Sequence, residues 1–113
     1  MKAIENFEDF DRLKNQGKPI LLDFYADWCG PCQALLPTVE KLAKEYEGRV
    51  EIQKVNVDKN KELAAYFEVR SIPSLFFMQH VNIVERITGL VAENTLREKL
   101  ENLLSNRDLF QHS

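Results

Sequence analysis

The sequence lacks the features that mark several large classes of protein. It has only two cysteines among 113 residues, and the remaining zinc-ligand candidates, His80 and His112, do not have finger-like spacing. A zinc site built on the cysteine pair is therefore disfavoured, and we expect no metal. With 15 basic and 18 acidic residues, the net charge of −3 gives no support for binding to nucleic acid or a membrane surface. The apolar runs are too short to span a bilayer.

The amino-terminal residues also do not have the pattern of a secretion signal. Residues 1–6 lead into acidic sequence without the apolar core region of a signal peptide. We therefore expect a cytoplasmic protein, with an exported form whose signal has been removed as the open alternative. In a reducing compartment, a close pair of cysteines is typical of catalysis or metal binding rather than of a structural disulfide.

The size and composition are those of one domain. A chain of 113 residues with 44% hydrophobic residues can build a single core. We expect one domain over residues 1–113, of which about 106–113 form a flexible C-terminal tail. Internal repeats, linkers and low-complexity segments are not found in the sequence.

Apolar patterning predicts helices alternating with strands. Helices are expected over about 5–15, 29–47, 60–67 and 93–104, and strands over about 20–26, 50–58, 74–78 and 83–88. The run 20–26 is apolar apart from one aspartate, which is typical of a central strand covered on both faces. A strand-helix-strand unit requires parallel neighbours, whereas the last two strands suit an antiparallel hairpin. The order predicts an α/β protein with a mixed sheet and helices on both faces.

The two cysteines, Cys29 and Cys32, come directly after this central strand. If a helix begins there, its free N–H groups and the positive end of its dipole face the first sulfur, lower its pKa and favour the reactive thiolate. We therefore predict Cys29, at the exposed helix start, as the nucleophile and the better buried Cys32 as the resolving thiol. Gly30 and Pro31 restrain the loop between them, and proline suits the first turn of a helix.

Asp23 interrupts the apolar strand. An ionised carboxylate in a covered strand is costly unless it is paired, so we expect Asp23 to have a raised pKa and to stay protonated. A carboxyl group that titrates near neutral pH can exchange a proton with Cys32. The alternative is an aspartate that faces water near the end of the strand.

The stretch 23–32, DFYADWCGPC, is similar to the active-site signature of the thioredoxin family almost residue for residue. A second match, RSIPS at 70–74 followed by Thr88 and Gly89, lies far downstream, and the resemblance covers nearly the whole chain. It implies a thioredoxin-like three-layer fold, with a central mixed sheet of four to five strands flanked by helices on both faces. The additional strand is expected near residues 1–4.

The resemblance adds Lys54 to the predicted catalytic set of Cys29, Cys32 and Asp23, because Lys54 matches a family lysine near the buried aspartate. Without the resemblance, Lys54 would be interpreted as a solvent-facing lysine of a strand.

The resemblance also concerns the aromatic residues around the cysteines. Trp28 is expected to shield the sulfurs and to offer a flat apolar surface to a partner, with core packing as the alternative. Tyr25 stands where many family members have a second tryptophan. Asp58 matches the residue that hydrogen-bonds that aromatic side chain.

The predicted substrate-binding residues are Trp28, Gly30, Pro31, Ile72, Pro73 and Gly89. The resemblance implies a cis peptide bond between Ile72 and Pro73, which would leave the Ile72 backbone free to pair with an extended substrate segment. It places Gly89 in the same groove, where a side chain would block approach, although a plain turn glycine is the alternative.

These features predict a protein-disulfide reductase that works by dithiol exchange at Cys29 and Cys32. The Gly-Pro pair between the cysteines resembles that of the reducing family members. The resemblance implies no bound cofactor, and disulfide-containing proteins and an NADPH-dependent thioredoxin reductase as partners; we also expect a monomer. Two alternatives remain, namely an exported dithiol oxidoreductase and a non-catalytic binding module with the same fold.

Overall fold

The computed structural model describes residues 1–80 and 82–112. The described helices are α1 (Phe7–Asn15), α2 (Gly30–Glu45), α3 (Lys61–Tyr66) and α4 (Glu93–His112), and the described strands are β1 (Ile20–Tyr25), β2 (Glu51–Asn56), β3 (Ser74–Gln79) and β4 (Asn82–Thr88). Their order is the predicted one, and all boundaries except the end of α4 agree with the prediction to within two residues.

The largest difference from the prediction concerns the last helix. We expected α4 to end near Leu104, but it continues to His112. The backbone of the predicted tail is therefore helical over 106–112, and Ser113 lies outside the described residues. The flexibility of this segment stays a prediction.

The strands form one mixed sheet in the order β2-β1-β3-β4. β1 pairs in parallel with β2, and β3 is antiparallel to both β1 and β4. The strand expected near residues 1–4 is reduced to a single bridge between Ala3 and Lys54, supported by a 2.8 Å bond from the Ile4 amide to the Lys54 carbonyl. The predicted α/β class, mixed sheet and terminal hairpin are confirmed.

β1 is buried on both faces, as its apolar run predicted. Because side chains alternate along a strand, Leu21 points into one core, while Ile20, Leu22 and Phe24 point into the other. The first core lies between the sheet and α2 and α4, and includes Leu35, Val39, Leu42, Leu75, Phe77, Leu96, Leu100 and Leu103. The second lies against α1 and α3, and includes Phe10, Leu13, Val55, Leu63, Phe67 and Phe76.

α4 is attached to the sheet mainly through its apolar stripe. The side chain of Gln79 adds one buried hydrogen bond, from Nε2 to the Leu103 carbonyl at 2.7 Å. Arg97 also pairs with Glu45 of α2 and with Glu93. Exposed ion pairs contribute little to stability, so burial of the leucines accounts for most of the attachment.

We expect Leu100→Ala to lower the free energy of unfolding by about 2–5 kcal/mol, because it leaves a cavity in a packed core. Leu100 is completely buried in the core beneath α4. Urea unfolding of the oxidised protein measures the change. The matched control is Glu98→Ala, an exposed position on the same helix, which should change stability by about 0.5 kcal/mol or less. Equal changes in the two variants would contradict this account of how α4 is held.

Candidate active site

The two cysteines lie where β1 gives way to α2. A disulfide joins Cys29 to Cys32, and their Cα atoms are 5.2 Å apart. Cys29 is the N-cap of α2, and its sulfur accepts a hydrogen bond from the Cys32 amide at 3.2 Å. Pro31 stands in the first turn, where its missing N–H costs no helical hydrogen bond. The first helical turn therefore closes the disulfide ring.

The burial of the two cysteines differs less than expected. Gly30 and Pro31 are exposed, but Cys29 retains only 5% of its accessible surface, against 2% for Cys32. The expectation that Cys29 lies at an exposed position is wrong for the disulfide form. Both cysteines pack with Ala26, so the sulfurs are covered although the residues between them are exposed.

The segment around Pro73 lies against the disulfide. The Ile72–Pro73 peptide bond is cis, as the resemblance implied. The Ile72 carbonyl oxygen is 3.8 Å from the Cys29 sulfur, so this backbone forms one wall beside the reactive atom.

Gly89 is tied to the same wall, because its amide donates to the Pro73 carbonyl at 2.8 Å. Its φ of +89° is a backbone conformation that side-chain-bearing residues rarely adopt. Apart from its two chain neighbours, a Cβ added at Gly89 would meet no atom of the described residues within 4 Å. The left-handed backbone, rather than crowding within the protein, therefore accounts for glycine here, and the space beside it is open.

Asp23 is buried in the middle of β1. Only 1% of its surface is accessible, and its Oδ1 atom has no hydrogen-bond partner among the described residues. Burial raises the pKa of Asp23 to about 7, and the positive charge of Lys54 opposes that rise. The water-facing alternative is wrong, and the predicted direction of the pKa shift is confirmed.

Lys54 lies directly opposite Asp23 in the parallel pairing of β1 and β2. It is half-buried rather than solvent-facing, and its ammonium group lies 5.5 Å from the centre of the Tyr25 ring. The structure thus brings Lys54 next to the buried carboxyl group, as the resemblance implied and the residue pattern alone did not.

Trp28 is 72% exposed, so the core-packing alternative is wrong. Its indole Nε1 donates to an Asp58 carboxylate oxygen at 2.8 Å. The resemblance placed Asp58 where it would hydrogen-bond the aromatic residue at position 25. This is corrected, because the hydrogen-bond partner of Asp58 is Trp28. Tyr25 instead contacts Lys54.

Sequence reasoning missed Asn56, the last residue of β2. Its side-chain oxygen accepts from the amides of Asp58 and Lys59, at 2.9 and 3.2 Å. An asparagine at the end of a strand is a recognisable signal for such a turn, because its side chain can bond the backbone two residues further on.

Within the described part of the chain, no three histidine, cysteine, aspartate or glutamate residues lie together as metal ligands. Over the same residues, no helix is both long enough and apolar enough to cross a membrane.

The chain is similar to known proteins over most of its length. The family model described as Thioredoxin matches residues 2–102. "Thioredoxin 1" of Nostoc sp. is 41% identical over 83 residues, which cover 74% of this chain and 78% of the relative. "Thioredoxin M-type, chloroplastic" of Spinacia oleracea is 39% identical over 77% of this chain and 48% of the relative. The structure of Fasciola hepatica thioredoxin is 39% identical, with a TM-score of 0.83 over 90% of this chain and 98% of that one.

The comparisons and the geometry agree. The matching family model covers most of the chain, and the structure brings Cys29 and Cys32 together at the start of a helix. They do not favour a non-catalytic binding module. The chain therefore belongs to the thioredoxin family, and it is a thiol–disulfide oxidoreductase with protein-disulfide reductase activity.

Proposed function

We propose that this chain reduces protein disulfides with Cys29 as the attacking thiol and Cys32 as the resolving thiol, and that an NADPH-dependent thioredoxin reductase recycles it. Disulfide substrates and a thioredoxin reductase are the general partners that membership of the family implies. The observation that carries the assignment of roles is the position of the Cys29 sulfur at the N-terminus of α2.

The helix start favours the thiolate at Cys29. Free N–H groups and the positive end of the dipole face that sulfur, and both stabilise a negative charge there. The Cys29 thiolate attacks one sulfur of the substrate disulfide, and the other leaves as a thiolate. Cys32 then attacks the Cys29 sulfur and releases the second substrate thiol, so that two electrons pass to the substrate and the Cys29–Cys32 disulfide forms.

Asp23 is the proposed proton acceptor for Cys32. A carboxyl group with a pKa of about 7 can both take up and give back a proton near neutral pH. Asp23 lies three residues before Ala26, which packs against both cysteines. Lys54, opposite Asp23, limits the rise of that pKa and so keeps the carboxyl group able to titrate in the working range.

The proposed substrate surface surrounds the Cys29 sulfur. Trp28 offers an exposed ring, Gly30 and Pro31 are exposed at the helix start, and the backbone at Ile72 and Pro73 forms the wall beside the sulfur. An extended substrate segment can pair with the backbone at Ile72, and the open space beside Gly89 leaves room for its approach.

We further propose that the protein acts as a monomer in a reducing compartment, the cytoplasm. The Gly-Pro pair between the cysteines supports the reducing direction, because it resembles that of the reducing family members. A reduction potential measured against glutathione separates this proposal from an exported oxidant, which would equilibrate at a markedly higher potential.

The proposed activity predicts NADPH-dependent reduction of insulin. The protein, insulin, NADPH and a thioredoxin reductase should together consume NADPH, and both Cys29→Ser and omission of the protein should abolish this consumption. Absorbance of NADPH measures the rate. If insulin is reduced with dithiothreitol but never with NADPH and reductase, the disulfide chemistry stands and the proposed recycling partner is wrong.

Cys32→Ser should trap substrates. Without the resolving thiol, the mixed disulfide at Cys29 has no internal route to cleavage and should persist. Proteins captured by this variant and released by dithiothreitol are identified by mass spectrometry. Cys29→Ser is the matched control, and equal recovery with the two variants would contradict the assigned roles.

Burial of Asp23 predicts a stability that depends on pH. The unfolded carboxyl group titrates near 3.8 and the folded one near 7, so the folded state binds the proton more tightly. Between these values the stability of the parent protein falls as pH rises, and Asp23→Ala removes that loss. From about pH 5 to about pH 8.5, the stability of Asp23→Ala relative to the parent should increase by about 2–3 kcal/mol. Urea unfolding of the oxidised proteins, in which neither cysteine titrates, measures this difference.

The same substitution should slow disulfide exchange by about 10²-fold, the usual scale of a positioned general base. Asp23→Asn is the second variant, because it keeps the shape of the side chain and removes only the titrating group. A relative stability that does not change with pH would contradict the burial account, and unchanged exchange rates in both variants would contradict the proton-transfer role.

A further inference from the structure

We propose that Asn56 is a positioning residue for Trp28. It acts by holding the loop that carries Asp58, whose carboxylate in turn fixes the indole ring beside the disulfide. The inference rests on the proposed function, in which Trp28 forms part of the substrate surface. It adds a buried residue that supports this surface without facing the substrate.

The two loops concerned leave the sheet at the same place. Tyr25 and Asn56 are the last paired residues of the parallel strands β1 and β2. One residue later, the Val57 amide still donates to the Tyr25 carbonyl at 2.9 Å. Beyond this point the chain after β1 continues to Trp28 and Cys29, and the chain after β2 continues to Asp58, so their relative position depends on contacts between the loops.

Asn56 determines the course of the second loop. The residue is only 5% exposed, and both partners of its side-chain oxygen, the amides of Asp58 and Lys59, are backbone donors. The buried side chain of Asn60 completes the turn, because its amide group donates to the Asn56 carbonyl at 3.0 Å. The backbone at Asp58 is thus held from within the turn, and its carboxylate is directed toward the first loop.

Trp28 depends on that carboxylate for its orientation. With 72% of its surface exposed, the ring has little packing to restrict its rotamers. The 2.8 Å hydrogen bond from Nε1 to Asp58 is therefore the contact that holds the ring in one orientation. A charged acceptor strengthens such a bond relative to a neutral one. The sequence of contacts runs from Asn56 to Asp58 to Trp28, and it ends next to Cys29.

The competing explanation is that Asn56 only stabilises a surface turn. The two explanations differ in whether substitution of Asn56 changes the mobility of the Trp28 ring. This chain has a single tryptophan, so its tryptophan fluorescence comes from Trp28 alone. Asn6 offers a matched control. Its side chain also accepts a backbone amide hydrogen bond, from Asp9 at 2.8 Å, but at the start of α1.

The experiment compares Asn56→Ala, Asp58→Ala, the double variant, Asn56→Asp and Asn6→Ala in the reduced state. Asn56→Ala and Asp58→Ala should each lower the tryptophan anisotropy and increase iodide quenching. Each should also reduce the rate constant for insulin about fivefold, the scale of one hydrogen bond. The double variant should be no worse than Asp58→Ala, since both substitutions act on one contact. Asn56→Asp keeps the acceptor oxygen and should resemble the parent, as should Asn6→Ala in fluorescence and activity.

Unchanged fluorescence in Asn56→Ala, or additive effects in the double variant, would overturn the proposal. If Asn56→Ala does not fold, Asn56→Asp provides the test. A tryptophan anisotropy of Asn56→Asp clearly below that of the parent would then overturn the proposal. A fluorescence change without any change in insulin reduction would also overturn it, because positioning would then have no functional consequence. The variant Trp28→Ala tests the proposed substrate surface separately from the role of Asn56. If Trp28→Ala reduces insulin at the parent's rate, Trp28 is not part of the substrate surface.

Discussion

The burial of β1 between two cores is the constraint on which the site depends. Its side chains face the α2 and α4 core on one side and the α1 and α3 core on the other. A carboxyl group in such a strand has no access to water, which is why the pKa of Asp23 is raised to about 7. The same strand leads directly into the loop before α2. One element therefore carries the titrating group and also determines where the reactive helix begins.

The reactive helix and the surrounding loops position the other groups of the site. The first turn of α2 brings the two sulfurs together and directs its free N–H groups at Cys29. The Ile72 carbonyl oxygen lies 3.8 Å from the same sulfur, and Gly89 is hydrogen-bonded to Pro73. These groups come from three separate parts of the chain. They meet because of the strand order, in which β3 lies between β1 and β4.

Sequence patterns predicted most of the architecture because the relevant signals are local. The apolar run of β1 and the helical spacing after it led to the correct elements, and Asp23 was recognised because it interrupts that run. The length of α4 was underestimated, since its apolar stripe weakens after Leu104 while the backbone continues as a helix. The strand expected near residues 1–4 amounts to one bridge, in which the Ile4 amide donates to the Lys54 carbonyl and the Lys54 amide to the Lys2 carbonyl.

The sequence by itself determined the dithiol, its place before a helix and the presence of an acidic residue in a covered strand. These follow from neighbours along the chain, where spacing controls geometry. Only the tertiary structure decided that Cys29 is nearly as buried as Cys32, and that Asp58 bonds Trp28 rather than the residue at position 25. The contact between Trp28 and Asp58 joins two loops that are 30 residues apart in the sequence. A local pattern can indicate the turn at Asn56, but the partner of Asp58 is selected by strand register, which places the two loops side by side and which no local pattern specifies.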